Sequence, residues 1–175
     1  NRRLTLGANW SSRVYMTKFH KYKNLFAEHG GFDIPENYGI GLSYKVTPDL
    51  IVAIDVQRIK WNSVASIGNP GPSAANPNTF FPPGIGKMGL PNGLGFGWQD
   101  RTAYKLGVAY RLNEQFTLRA GYNHMKSPIP NNQVLFNTLA PATVQDHLTL
   151  GASYRPTRNV EWSVSYIHAF RKTIR

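Results

Sequence analysis

Five histidines and nine carboxylates are the side chains with which metal binding or acid–base catalysis would begin in this 175-residue chain. Their spacing does not support either. His124 and His168 share one parity along alternating segments and His147 has the other. No H-x-x-x-H pair or carboxylate stands at ligand spacing, so no metal and no cofactor is expected. There is no cysteine, hence no thiolate chemistry and no disulfide framework. No nucleophile elbow occurs, and the chain is expected not to be an enzyme. Gly84, Gly86 and Gly89 match G-x-G-x-x-G, but no strand precedes them and Pro91 interrupts any helix after them, so a dinucleotide site is rejected.

The residues that do suit a function are apolar and sit where loops are expected. Phe19, Tyr22, Leu25 and Phe26 recur at helical spacing within 17–35. A second loop, 63–98, carries Phe80, Phe81, Met88, Leu90, Leu94, Phe96 and Trp98. Aromatic and aliphatic groups hold hydrocarbon without directional bonds, so these positions are candidate ligand contacts. The plainer alternative is that each loop packs on itself. Lys and Arg total 20 against 9 Asp and Glu, a formal charge of +11. Arg58, Lys60, Lys126 and Arg171 lie near the ends of the long loops and fit lipopolysaccharide phosphates; the alternative is a solvated rim. Basic and aromatic residues do not interleave on one platform, so no nucleic-acid partner is expected.

The elements that must position these residues follow a period of two. In "HLTLGASYRPTRNVEWSVSYIHA" (147–169), Leu148, Leu150, Ala152 and Tyr154 alternate with polar or small residues, and Val160, Trp162, Val164 and Tyr166 resume the pattern after a polar break. The same code predicts strands near 4–16, 36–46, 50–62, 99–112, 116–125, 146–155 and 160–171, with long loops at 17–35, 63–98 and 126–145. "TPD", "NEQ" and "PTRN" are short turns, so short and long connections alternate. No apolar run approaches the length of a membrane helix. Alternating strands with short turns at one end and long loops at the other are the layout of a membrane β-barrel; a soluble sheet with one solvated face is the alternative. In the barrel reading Lys105, Arg119, Thr149 and Ser163 line a wet interior. Leu106, Val108, Leu118, Leu148, Leu150 and Val164 face lipid. The first residues, "NRRLTLGANW", already alternate, so the chain reads as an internal piece of a longer one.

Three motifs add a resemblance. "GWQDRTAYKLGVAYRLNEQFTLRAGY" (97–122), "LRAGYNHMKSPIPNN" (118–132) and "SVSYIHAF" (163–170), with the Ser127–Pro130 motif at its spacing to Tyr154 and His168, resemble the C-terminal half of the FadL/TodX family of outer-membrane transporters for long-chain fatty acids and aromatic hydrocarbons. The resemblance covers 36–62 and 97–171. It implies an all-β fold, a transmembrane antiparallel barrel of 14 strands plugged by an N-terminal hatch. This chain would hold about half of it, the seventh to thirteenth strands, with the hatch, first strands and closing strand outside it. It also implies that the first loop belongs to an external groove that captures ligand. Two departures stand out. Lys126 precedes Ser-Pro-Ile-Pro where the family often has an acid, and "PNGLGFG" before Trp98 offers no base for a ligand carboxylate.

The functional expectation is passive transport of hydrophobic small molecules across the outer membrane of a Gram-negative bacterium. A structural or adhesive barrel whose loops bind a partner, a general porin and a barrel phospholipase are the alternatives. The apolar loops favour transport, since a porin would line its loops with charge.

Overall fold

Alternation puts one apolar and one polar edge on every strand, and the computed structural model, which describes residues 3–25, 27–71 and 89–174, assembles them in chain order. Seven antiparallel strands form one sheet: β1 (Leu4–Ser11), β2 (Asn37–Lys45), β3 (Leu50–Ile59), β4 (Arg101–Arg111), β5 (Phe116–Met125), β6 (Asp146–Thr157) and β7 (Val160–Ala169). Each strand pairs only with its sequence neighbours, so β1 and β7 are open edges. No helix among the described residues is long and apolar enough to cross a membrane.

The tight turns are closed by side chains. Thr47 Oγ1 accepts from the amides of Asp49 and Leu50, and Asn113 Oδ1 accepts from those of Gln115 and Phe116. Both residues mimic a backbone turn in this way. Pro156 cannot donate to the ladder, and the β6–β7 register shifts between Tyr154 and Thr157 beside it.

Two strands stop short of their expected ends. β1 ends at Ser11 rather than near 16, and the chain continues only as a bridge between Val14 and Ile34. There Arg13 turns away to an ion pair with Asp33 at 2.8 Å. β3 ends at Ile59 rather than near 62, because Trp61–Ser63 coils into a 3-10 turn whose Asn62 amide donates to Asp100 Oδ1 at 3.0 Å.

Burial is reversed relative to a soluble domain. The buried apolar residues are Ala27, Val64, Ile67, Leu94, Ala103 and Ile129, and all but Ala103 lie in the loops. Leu6, Ile40 and Val164, on the apolar sheet face, are 72%, 68% and 70% exposed. Leaving such side chains in water would forgo roughly 1.5–3 kcal/mol each, so the face requires lipid. Aromatics flank it: Trp10, Tyr38, Tyr104, Tyr122 and Tyr166 toward the long loops, and Tyr44, Tyr110, Phe116, Tyr154 and Trp162 toward the short turns. Phe116 and Tyr154 stack with centroids 4.5 Å apart. This is part of a transmembrane β-barrel wall.

Candidate functional site

The polar face is built from a floor of small residues crossed by long polar side chains. Lys105, Arg119, Thr149 and Ser163 all stand on this face, because they share parity through the register. Lys105 Nζ donates to Gln57 Oε1 at 3.0 Å, and Gln57 Nε2 donates to Asn37 Oδ1 at 3.1 Å. Asp55 faces Lys105 in the register, and its carboxylate lies across Gly41, where an added Cβ would overlap it. Thr149 Oγ1 leans over Gly121 and donates to that glycine's carbonyl at 3.2 Å. Arg119 Nη1 donates to Ser153 Oγ at 2.6 Å, which sits 2.8 Å from Ser163 Oγ. Arg155 pairs with Glu161 and Arg111 with Asp49, whereas Arg119 has no carboxylate partner among the described residues.

The long loops fold on one another at the other end. In the first loop, Arg13 holds Asp33 and Glu28, and Asp33 Oδ1 accepts from the Met16 amide at 2.8 Å. Glu28 and His29 adopt positive φ of 56° and 59°, a strained conformation for residues with a Cβ. It aims their amides at the carbonyls of Leu90 and Gly89, at 3.1 and 2.6 Å, and so docks the first loop on the second. Phe19, Tyr22 and Leu25 stay on the outside, 49%, 55% and 44% exposed. Phe26, Phe80, Phe81 and Met88 lie outside the described residues.

Phe96 and Trp98 turn inward. Trp98 meets Trp61 edge-on at 5.2 Å, Phe96 lies 6.3 Å from Trp98, and Phe96 stacks on Phe136 at 5.3 Å. Asn137, buried between the second and third loops, fixes this cluster. Its Oδ1 accepts from Trp98 Nε1 at 2.6 Å, and its Nδ2 donates to the carbonyls of Phe96 and Gln133 at 2.7 and 2.8 Å. The Ser-Pro-Ile-Pro motif has a mechanical role in the same region. Ser127 Oγ donates to the Ala142 carbonyl and accepts from the Ile129 amide, while the Ser127 carbonyl accepts from Arg101 Nε at 2.7 Å. The motif therefore ties the third loop to the start of β4. Trp61, Phe136 and Asn137 were not singled out from the sequence. Trp61 reads there as the end of a strand, and the other two belong to a loop without periodicity.

Arg58 and Lys60 converge on Asp100, at 3.8 and 3.2 Å. Arg58 also donates to Thr102 at 3.1 Å. Lys126 and Arg171 are exposed and make no ion pair among the described residues. On the apolar face, near the loop ends of β5 and β6, Asp146 accepts from Tyr122 and lies 2.7 Å from His124 Nδ1. No group of three potential metal ligands occurs among the described residues.

An antiparallel wall, lipid-compatible on one face, polar on the other and capped at one end by apolar loops, is the architecture of an outer-membrane channel protein. The family model of outer membrane transport proteins (OMPP1/FadL/TodX) matches residues 29–175, and the chain belongs to that family. No curated protein matches it. Among solved structures it is similar to a Pseudomonas aeruginosa FadL homologue, at 16% identity and TM-score 0.60 over 95% of this chain and 40% of that one. It is similar to a TodX monoaromatic hydrocarbon channel lacking S2 and S3, at 22% identity and TM-score 0.58 over 82% of this chain and 32% of that one. The CymD monoaromatic hydrocarbon channel matches at 15% identity and TM-score 0.54, over 97% of this chain and 44% of that one. The chain thus spans less than half the length of each of these structures, and at such identities they establish the shared fold.

Proposed function

We propose that this chain supplies wall and external loops to a passive channel for hydrophobic small molecules in the outer membrane of a Gram-negative bacterium. The remaining strands and an N-terminal hatch are its partners within the barrel. One observation carries the reading: among the described residues nearly all of the buried apolar side chains lie in the loops, yet these loops leave Phe19, Tyr22 and Leu25 on their outer surface. A dilute hydrocarbon meets these side chains first, and the half-buried Phe96 and Trp98 lie deeper; Phe26, Phe80 and Phe81, outside the described residues, are further candidate contacts by sequence. Attraction at such a surface is non-directional, so a ligand can slide onward, and transport down a gradient needs no energy source. The polar lumen, lined by Lys105, Arg119, Thr149 and Ser163, keeps lipid out of the barrel. Exposed Lys126 and Arg171, and Arg58 and Lys60 held on Asp100, suit the phosphates of lipopolysaccharide. The descriptions of TodX and CymD as hydrocarbon channels support the substrate class.

The test replaces Phe19, Tyr22 and Leu25 together with Ser in the whole barrel protein. Each partly exposed side chain offers on the order of 1 kcal/mol to a bound hydrocarbon, so uptake of a dilute monoaromatic compound should fall at least tenfold. Leakage of small polar solutes should stay constant. Unaltered hydrocarbon uptake through a normally folded barrel would refute capture by this loop.

A further inference from the structure

The apolar face of the wall is not even. Across β5 and β6 its residues alternate in size: Leu118 stands opposite Ala152, and Ala120 opposite Leu150. The two alanines floor a hollow of about 510 Å³ whose sides include Leu118, Leu150, Val164 and Tyr166. Strands β4 to β7 frame it, and it opens away from the lumen. Neither a plug inside the barrel nor further strands beyond the open edges would cover it. What this face meets is hydrocarbon.

A second, independent observation lies nearer the long loops on the same face. His124 and Asp146 are opposite each other in the register, and both are half-buried. Asp146 accepts from Tyr122 and lies 2.7 Å from His124 Nδ1. An ionisable pair on a lipid-facing wall is costly at the bilayer centre and tolerated at the headgroup level. Asp146 engages one ring nitrogen of His124. Nε2 has no partner among the described residues, and in the imidazolium form it keeps an N–H to donate. Lys126 follows the end of β5, two positions past His124. Lys172 lies two positions past Phe170, whose amide donates to the Asp146 carbonyl at 3.0 Å. Both lysines are exposed and make no ion pair among the described residues. Two lysines and a histidine around one carboxylate form a rim that complements an anion.

We infer that this part of the outer wall is a seat for one lipopolysaccharide molecule: a phosphate on His124, Lys126 and Lys172, and one acyl chain in the hollow over Ala120 and Ala152. Ala120 lies about 14 Å from Asp146, four residues along β6 to Leu150 and one strand across, in the direction of the membrane centre. Half the hydrocarbon thickness is about 15 Å, so a chain descending from the rim reaches the hollow. The rim stands at the long-loop end, which is extracellular in such barrels, so its lipid is that of the outer leaflet. A second copy of the wall would fill the hollow with side chains but bring no phosphate to the rim. The seat rests on the outer-membrane channel reading and uses a surface that transport does not.

Native mass spectrometry of the purified whole barrel protein, titrated with diphosphoryl lipid A and with its dephosphorylated form, separates head from chain. Wild type should take up one lipid A saturably and at least tenfold more tightly than the dephosphorylated form. His124→Gln combined with Lys172→Gln should cut that preference at least fivefold. Ala120→Leu combined with Ala152→Leu fills the hollow on a face suited to apolar side chains, so the barrel should fold; both lipids should weaken severalfold with the phosphate preference kept. If that variant loses its heat-resistant band, Ala120→Val alone serves, and both lipids should weaken about threefold. Adducts that accumulate without saturation, a preference unchanged in the His124 and Lys172 variant, or affinities unchanged in the alanine variants overturn the seat. Dimers that displace the lipid would overturn it too. Uptake of a neutral monoaromatic compound should be the same in all these variants; its absence in wild type would count against the channel itself rather than the seat.

Discussion

Replacing Asn137 with Leu, a side chain of similar volume, should open the loops while leaving the barrel intact. Asn137 makes three hydrogen bonds of 2.6 to 2.8 Å and is 3% exposed. Each contributes about 1 kcal/mol net, and the substitution also strands the Trp98 indole N–H. The local opening free energy should therefore drop by roughly 3 kcal/mol, which multiplies the open population about a hundredfold. Chymotrypsin reads that population when opening and closing outrun cleavage, and Phe136 and Leu139 supply sites within the third loop. Cleavage there should accelerate about a hundredfold, with the heat-induced gel shift of the barrel unchanged. Asn137→Asp should be no better than Leu. Its carboxylate still accepts from Trp98, but it turns an acceptor toward the Phe96 and Gln133 carbonyls. Acceleration below threefold in both variants would refute Asn137 as the clamp. A parallel loss of barrel heat resistance would show instead that loop core and sheet melt as one unit.

Single cysteines at Leu106, Val108, Leu118, Leu148, Leu150 and Val164 should react with a lipid-soluble maleimide, and those at Lys105, Arg119, Thr149 and Ser163 with a charged one; reversal would invert the wall. Gly121→Val should lower the unfolding free energy by about 1–3 kcal/mol through overlap with Thr149, and Thr149→Ala should recover most of it, as a double-mutant cycle in urea would measure. Asp100→Asn should release Arg58 and Lys60, so that lipopolysaccharide binding to the purified protein tightens severalfold and depends more steeply on salt; unchanged binding would show that neither cation meets a phosphate.

The period-two code made the strands, their order and their two faces readable in advance, since each β-strand side chain must point to one face or the other whatever its neighbours are. The family was readable from Ser127–Pro130 and its surroundings. Contacts between loops were not. Asn137 lies among "NNQVLFNTL", where nothing repeats, and its partners Phe96 and Trp98 are about forty positions away. Arg58 and Lys60 looked like free cations because Asp100 belongs to a different strand end. The glycines of the polar face were visible as small residues, but only the positions of Thr149 and Asp55 separate Gly121 and Gly41, which are sterically required, from Gly107, which is not.

The aromatic residues at the two ends of the sheet also encode its obliquity. The register runs from Tyr166 on β7 through Leu150, Ala120, Val108 and Val52 to Tyr44 on β2, so the upper aromatic of β7 is level in hydrogen bonding with the lower aromatic of β2. The upper aromatic of β2, Tyr38, is six residues away, a stagger of six residues over five strand steps. At about 3.3 Å per residue and 4.8 Å per strand, this slope corresponds to strands inclined about 40° to the membrane normal, within the range of membrane barrels. With that shear, seven strands alone would close at a radius of about 7 Å, a bore that the wall's own arginine and lysine would occlude. Fourteen would close at about 14 Å, a bore wide enough to take a plug of further chain against the polar face.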